Sequence, residues 1–184
     1  MNKAIFKNHK YKDNMEKIFY YLNKHNFKYQ ISSIENIIFD ESLIKYCEKN
    51  ICGFYKKAWI CSPEVRSHFK LDRIKNSKKV IIFKKIYELK ESSNYEKETK
   101  DFKELLKGLK KLTSKDDLLF GIGGCNICGV CTYPNSPCRY SDKVIFPLSI
   151  IGIDVLNTAT KNNLEYDNGP NTTTLFGMLF VDIK

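Results

Sequence analysis

The chain has 184 residues, 42% apolar and 28% charged, with a formal charge of +10. That length suits one domain with a core of its own, whereas the longest apolar runs, such as Val80-Ile81-Ile82-Phe83, are too short to cross a membrane, and the charged start from Met1 to Lys7 lacks the apolar stretch of a signal peptide. The charge argues weakly for nucleic acid: only Arg66, Arg73 and Arg139 of the 31 basic residues are arginine, the usual choice for bidentate phosphate recognition, and lysine is scattered beside Asn and Ile as an AT-rich coding sequence would leave it.

Residues 12–24 place Met15, Ile18, Phe19 and Leu22 on one face of an amphipathic helix. Phe27 to Ile31 alternates as a half-buried strand does. Asp40 is positioned to cap a short helix over 41–46 that delivers Cys47. A loop then runs from Cys52 to Cys61, followed by a helix over 64–74 with Val65, His68 and Phe69 inward. The β-rich run 80–89 predicts a central strand. Ser93-Asn94-Tyr95-Glu96 is a capping box that opens a helix with Phe102, Leu105, Leu106, Leu109 and Leu112 on one face. Residues 118–122 predict the next strand, Pro147 suits the first turn of a helix over 146–161, and residues 172–183 predict a closing strand. The order from residue 79 is strand, helix, strand, metal loop, helix, strand. It predicts an α+β fold: a small mixed or antiparallel sheet with helices packed on one face and two cysteine-rich metal loops. Residues 1–184 are expected to form a single iron–sulfur binding domain, with 1–39 an N-terminal helix and strand, 40–78 the first cysteine loop, and 79–184 the sheet core with the second.

The seven cysteines fall into two groups, Cys47-x4-Cys52-x8-Cys61 and Cys125-x2-Cys128-x2-Cys131-x6-Cys138. Their number is odd, and a cytoplasmic location, expected in the absence of a leader, is reducing, so metal or redox chemistry is favoured over disulfides. Thiolates are soft ligands for zinc, copper(I) and iron–sulfur clusters. Three cysteines at successive x2 steps let one loop wrap three corners of a cubane, whereas zinc more often takes two separated C-x2-C knuckles. The spacing therefore favours 4Fe–4S clusters, one or two, with zinc as the alternative. Gly121, Gly123, Gly124 and Gly129 surround the second group, where glycine lets backbone N–H groups approach sulfur; a plain tight turn is the other reading. Arg139 is a candidate to donate to a cluster sulfur or hold an anion, or else to pair with Asp142 on the surface.

Two full cubanes need eight thiolates and the chain has seven cysteines. One closed cluster and one with a three-cysteine shell are expected, the latter leaving an iron for a small substrate or sulfur species. Glu64 and His68 are candidate fourth ligands, and Cys138 could instead serve the first cluster, as ligands are exchanged in two-cluster ferredoxins. Trp59 either shields a cluster from water or packs in the core. Asp154, placed in the helix after the second group, is a candidate general acid or base, or an acceptor supporting a ligand, or else a solvated helical aspartate; Arg139 is the other catalytic candidate. The functional expectation is an iron–sulfur dependent redox or sulfur-transfer protein meeting a redox partner or a small-molecule substrate, with neither nucleic acid nor membrane. A simple electron-transfer protein and a zinc-stabilised interaction module are the alternatives.

The two cysteine groups, together with Pro137-Cys138-Arg139, Pro147-Leu148-Ser149 and Gly152-Ile153-Asp154-Val155, resemble a family of predicted metal-binding proteins of unknown function over roughly residues 40 to 184. That family's first motif reads C-x4-C-x-x-Y-G-K-x-W-x-C-P-P, which appears here as Cys47 to Pro63. Lys56 stands where the motif has glycine, Ala58 precedes the tryptophan, and Ser62 replaces the first proline. The resemblance implies metal binding by the cysteines and implies no reaction.

Overall fold

A computed structural model describes the backbone of residues 2–68, 74–90 and 95–181, and the side chains of these apart from 2–11 and 66–68. Helix α1 (Asn2–Lys24) leads into strand β1 (Lys28–Ser32), and α2 (Ser42–Glu48) and α3 (Pro63–His68) flank the first cysteine loop. Then come β2 (Lys79–Glu88), α4 (Tyr95–Lys110), β3 (Leu118–Gly121), β4 (Phe146–Pro147), α5 (Val155–Lys161) and β5 (Thr172–Val181). The sheet order is β1-β2-β5-β3-β4, antiparallel except for the short parallel pair β3–β4. This is the expected mixed sheet and α+β class. The proposed cap at Ser93 and the inward Phe69 lie outside the described residues.

β2 and β5 run antiparallel along their whole length, from Lys79 opposite Val181 to Glu88 opposite Thr172. Alternate residues of a strand point to opposite faces, so their apolar runs feed two cores. Ile81, Phe83, Leu175 and Leu179 meet Ile18 and Leu22 of α1 and Phe102, Leu106 and Leu109 of α4. Val80, Ile82, Phe176, Met178 and Phe180 meet Ile150, Ile151, Ile153 and Ala159 from the chain around α5. The two long helices share one face as expected. The second face is covered as well, by the shorter elements around α5. Lys84 interrupts that second face and is buried, its ammonium donating to the Glu165 carbonyl and, at 2.9 Å, to Asn168 Oδ1.

The continuous helix expected over 146–161 is also corrected. Phe146 and Pro147 pair with Phe120 and Gly121 as β4, where a proline without an N–H is tolerated at a sheet edge. Leu148–Ile151 forms a 3-10 turn, and Gly152 enters the left-handed region at φ 70°. Leu148, Ile150, Ile151 and Ile153 are all buried, more than one helical face would hide. The helix proper starts only after Asp154.

Candidate metal centre

The first cysteine group is shaped by turns rather than by regular structure. Half-buried Cys47 sits near the end of α2, exposed Cys52 in the turn beyond it, and buried Cys61 at the end of a 3-10 turn, Trp59–Cys61. Asn50, itself at φ 54°, accepts the Tyr55 N–H at 3.0 Å and so folds the loop back. Lys56 adopts φ 57° and donates its N–H to the Cys61 carbonyl at 3.2 Å. The departure from the motif glycine at this position therefore leaves the left-handed backbone intact, at a strain that glycine would relieve. Lys56→Gly is expected to raise stability by about 0.5–1 kcal/mol, measured by denaturant unfolding; a loss of stability would mean that the lysine side chain matters more than its backbone.

The second group begins where β3 ends. Gly124, at φ 80°, is buried, and a Cβ there would lie 2.8 Å from Lys103 Nζ and 3.1 Å from the Phe54 ring. Its N–H draws the Cys61 thiol pKa down, and the Ile127 N–H does the same for Cys125. Within the x6 segment, Thr132 Oγ1 donates to the Pro137 carbonyl at 2.9 Å and the Ser136 N–H to the Thr132 carbonyl at 3.0 Å. A small cavity lies among Cys125, Cys128, Cys131 and Cys138, walled by Trp59 and Val144.

The two groups meet. Ile60, Cys61 and Val144 form a buried apolar cluster against which Cys125, Ile127 and Cys138 pack. Trp59 donates its indole N–H to the Ser136 carbonyl at 2.9 Å and sets its ring edge-on to Tyr133, centroids 5.1 Å apart. Tyr133 in turn donates to Glu64 at 3.3 Å. Trp59 is thus half-buried between the cysteine loops rather than in the sheet core.

Burial pushes the Cys61 thiol up to about 11, against the pull of the Gly124 N–H; negative charge on Cys52, Cys47 and Cys125 raises it further. Burial likewise raises Cys125, opposed by the Ile127 N–H and reinforced by Cys128, Cys131 and Cys138. Cys125 therefore faces both groups. Such a crowd of thiols resists joint ionisation until a cation is present, which is how metal uptake becomes coupled to proton release. Lys103 of α4 reaches the same place. Burial lowers its pKa, and Cys125 and Cys61 draw it back up. The sequence reading missed this residue; its position three residues before the buried Leu106 is the one signal that it turns inward.

The other candidates separate from this centre. Glu64 is exposed in the first turn of α3, its pKa held low by its own N–H and the Ser62 hydroxyl, then by Tyr133 and Lys56. The His68 side chain lies outside the described residues. Arg139 donates to the Val130 carbonyl and so braces the cysteine loop. Asp154 is not within a helix: it is the cap of α5, accepting the Asn157 N–H at 3.0 Å. Asp154→Ala is expected to cost about 1 kcal/mol in thermal unfolding with metal content unchanged; a loss of metal without a loss of stability would return Asp154 to the candidate chemistry. All seven cysteines are unpaired, and among the described residues no three His, Cys, Asp or Glu side chains converge closely enough for a single metal ion.

A sheet whose edge delivers two facing groups of free thiols has the donor chemistry of a metal-binding protein. The chain belongs to the family described as predicted metal-binding protein (DUF2284), which it matches over residues 30–181, a span that includes every cysteine. No curated protein and no solved structure matches it. Among the described residues no helix is long and apolar enough to cross a membrane.

Proposed function

We propose that the protein is a single-domain iron–sulfur protein holding two 4Fe–4S clusters. Cys125, Cys128, Cys131 and Cys138 bind one, and Cys47, Cys52 and Cys61 bind the other. The observation that carries this reading is the shared apolar cluster in which Cys61 meets Cys125 and Cys138. The donor set is thiol alone, and the backbone N–H groups of Gly124 and Ile127 favour the thiolates of Cys61 and Cys125, as suits sulfur ligands to a cluster. A zinc ion would need its sulfurs within about 4 Å of one another, given Zn–S bonds of about 2.3 Å, whereas the ligands of a cubane sit on separate irons and stand further apart. Bound there, such clusters supply one-electron transfer and, under a three-thiolate shell, one iron with a free position for a small substrate or sulfur species.

The chain's own residues do the rest. Ile60, Ile127 and Val144 exclude water from the buried sulfurs. Lys103 sets a cation beside Cys61 and Cys125, offsetting part of the thiolate charge. Trp59 and Tyr133 hold the two loops in register. The unpaired thiols suit a reducing compartment such as the cytoplasm, with a redox protein as electron partner.

Protein prepared without oxygen is expected to be brown and to contain iron and acid-labile sulfide. Colourless protein with stoichiometric zinc would sink the reading. Added cyanide or sulfide is expected to perturb the spectrum of one cluster, and the response should vanish in Cys52→Ala. Spectra inert to both ligands would leave an electron carrier without an open iron.

A further inference from the structure

Beside the cysteine loops lies a cleft of about 1100 Å³. Its walls are the C-terminal half of α4, the turn that follows, and the returning segment 140–144. Its floor is apolar, built from Leu118, Phe120, Val144 and Phe146. β4 covers the outer edge of β3 only at Phe120 and Gly121, so the sheet stays open toward the cleft at Leu118. Five lysines ring it: Lys107, Lys110, Lys111, Lys115 and Lys143. Only two carboxylates, Glu104 and Asp142, share the lining, and Glu104 is already occupied by Lys107 at 2.8 Å.

The lysines are set by structure. Asp117 is buried and accepts the Ser114 N–H at 2.8 Å, which fixes the turn carrying Lys115. The Lys143 N–H donates to the Tyr140 carbonyl at 2.9 Å, and its ammonium lies 5.1 Å from the centroid of that ring. Small-molecule sites are concave, mostly apolar clefts of roughly 300–1,000 Å³ with a few placed polar groups, and this cleft, at about 1100 Å³, lies just above that range. A track for nucleic acid would want arginine and exposed stacking aromatics; the lining offers lysine, and of its three rings Phe120 and Phe146 lie in the floor, which leaves Tyr140 at the rim.

We propose that this cleft binds a small organic anion with an apolar body: the lysines take a carboxylate, phosphate or sulfonate while the floor takes the hydrocarbon. Ile127 and Val144 line the cleft and also pack on Cys61 and Cys125, so one layer of side chains separates the ligand from the thiols. The site is independent of which metal the cysteines hold, and its test succeeds or fails apart from the cluster reading.

The test uses the full chain and 1-anilinonaphthalene-8-sulfonate, with the neutral N-phenyl-1-naphthylamine as comparator. The sulfonate is expected to bind one per chain, about tenfold tighter than the neutral compound, and to weaken as salt rises. The combined Lys110→Gln, Lys111→Gln and Lys143→Gln variant is expected to bind it about tenfold more weakly. Lys97→Gln with Lys100→Gln, an equal type of charge loss on the exposed first half of α4, should leave binding unchanged. If the triple variant does not fold, hydrogen exchange on the unaltered chain decides: the sulfonate should protect segments 107–119 and 140–146. Equal binding of the neutral compound, indifference to the triple variant, or protection elsewhere would overturn the proposal. Tighter binding of poly-glutamate than of the sulfonate would assign the cleft to an acidic protein and overturn it too.

Discussion

Cys125→Ala is expected to deplete iron and sulfide from both cysteine groups, whereas Cys128→Ala should empty one. The reason lies in where Cys125 stands. It opens the second motif, yet its sulfur also faces Cys61, the buried member of the first, across the Ile60 and Val144 cluster. Removing it opens a gap where the two groups meet and leaves Lys103 beside one sulfur instead of two. The loop beyond Cys125 carries little core of its own: Gly129, Val130 and the run from Pro134 to Pro137 are exposed. Where loops lack a core, metal-binding free energy is folding free energy. The substitution should therefore destabilise the protein by about 4 kcal/mol or more, against a smaller loss for Cys128→Ala. Metal analysis and thermal unfolding under anaerobic conditions read both effects. Equal losses from the two variants would show that Cys125 serves its own motif alone.

How much of this was open to a reader of the sequence depends on the range of the forces involved. The long elements were legible because their patterns are local: the stripe of α4 from Phe102 to Leu109, and the apolar run of β2 that becomes a strand hydrogen-bonded on both sides. Val80-Ile81-Ile82-Phe83 also carried a signal that a one-faced sheet cannot explain, since an unbroken apolar run needs cover on both faces. The segment 146–161 was misjudged because Pro147 fits a helix start and a sheet edge equally well, and the choice is made by Phe120 and Gly121 in a distant strand. Both cysteine groups were plain from spacing, but their meeting at Cys61, Cys125 and Cys138 was not. Lys103 and the lysines of the cleft look like solvated helix charges until the tertiary fold puts a thiol or an apolar floor beside them.

Gly152→Ala is expected to destabilise by about 2–4 kcal/mol, the sum of left-handed strain and overlap. Gly152 sits at φ 70°, ψ 31°, and a Cβ there would stand 2.9 Å from the Asp40 carbonyl oxygen, which belongs to backbone and cannot swing aside. The contact is tight because two segments are clasped at this point. The Asp40 N–H donates to the Gly152 carbonyl at 2.7 Å, the Asp154 N–H to the Ile38 carbonyl at 2.9 Å, and Phe39 bridges Ile153 between them. α2 follows Asp40 directly and carries Cys47, so the clasp links the chain after the second cysteine group to the helix that presents the first. Gly53→Ala separates the two contributions. Gly53 is also left-handed, at φ 73°, but a Cβ there meets nothing within 4 Å, so only the strain of about 1–2 kcal/mol should appear. The clasp further predicts that Gly152→Ala surrenders metal from the first group to a chelator faster than Gly53→Ala does. If the two variants unfold at the same denaturant concentration and release metal at the same rate, Asp40 yields to the new methyl group and the clasp does not position Cys47.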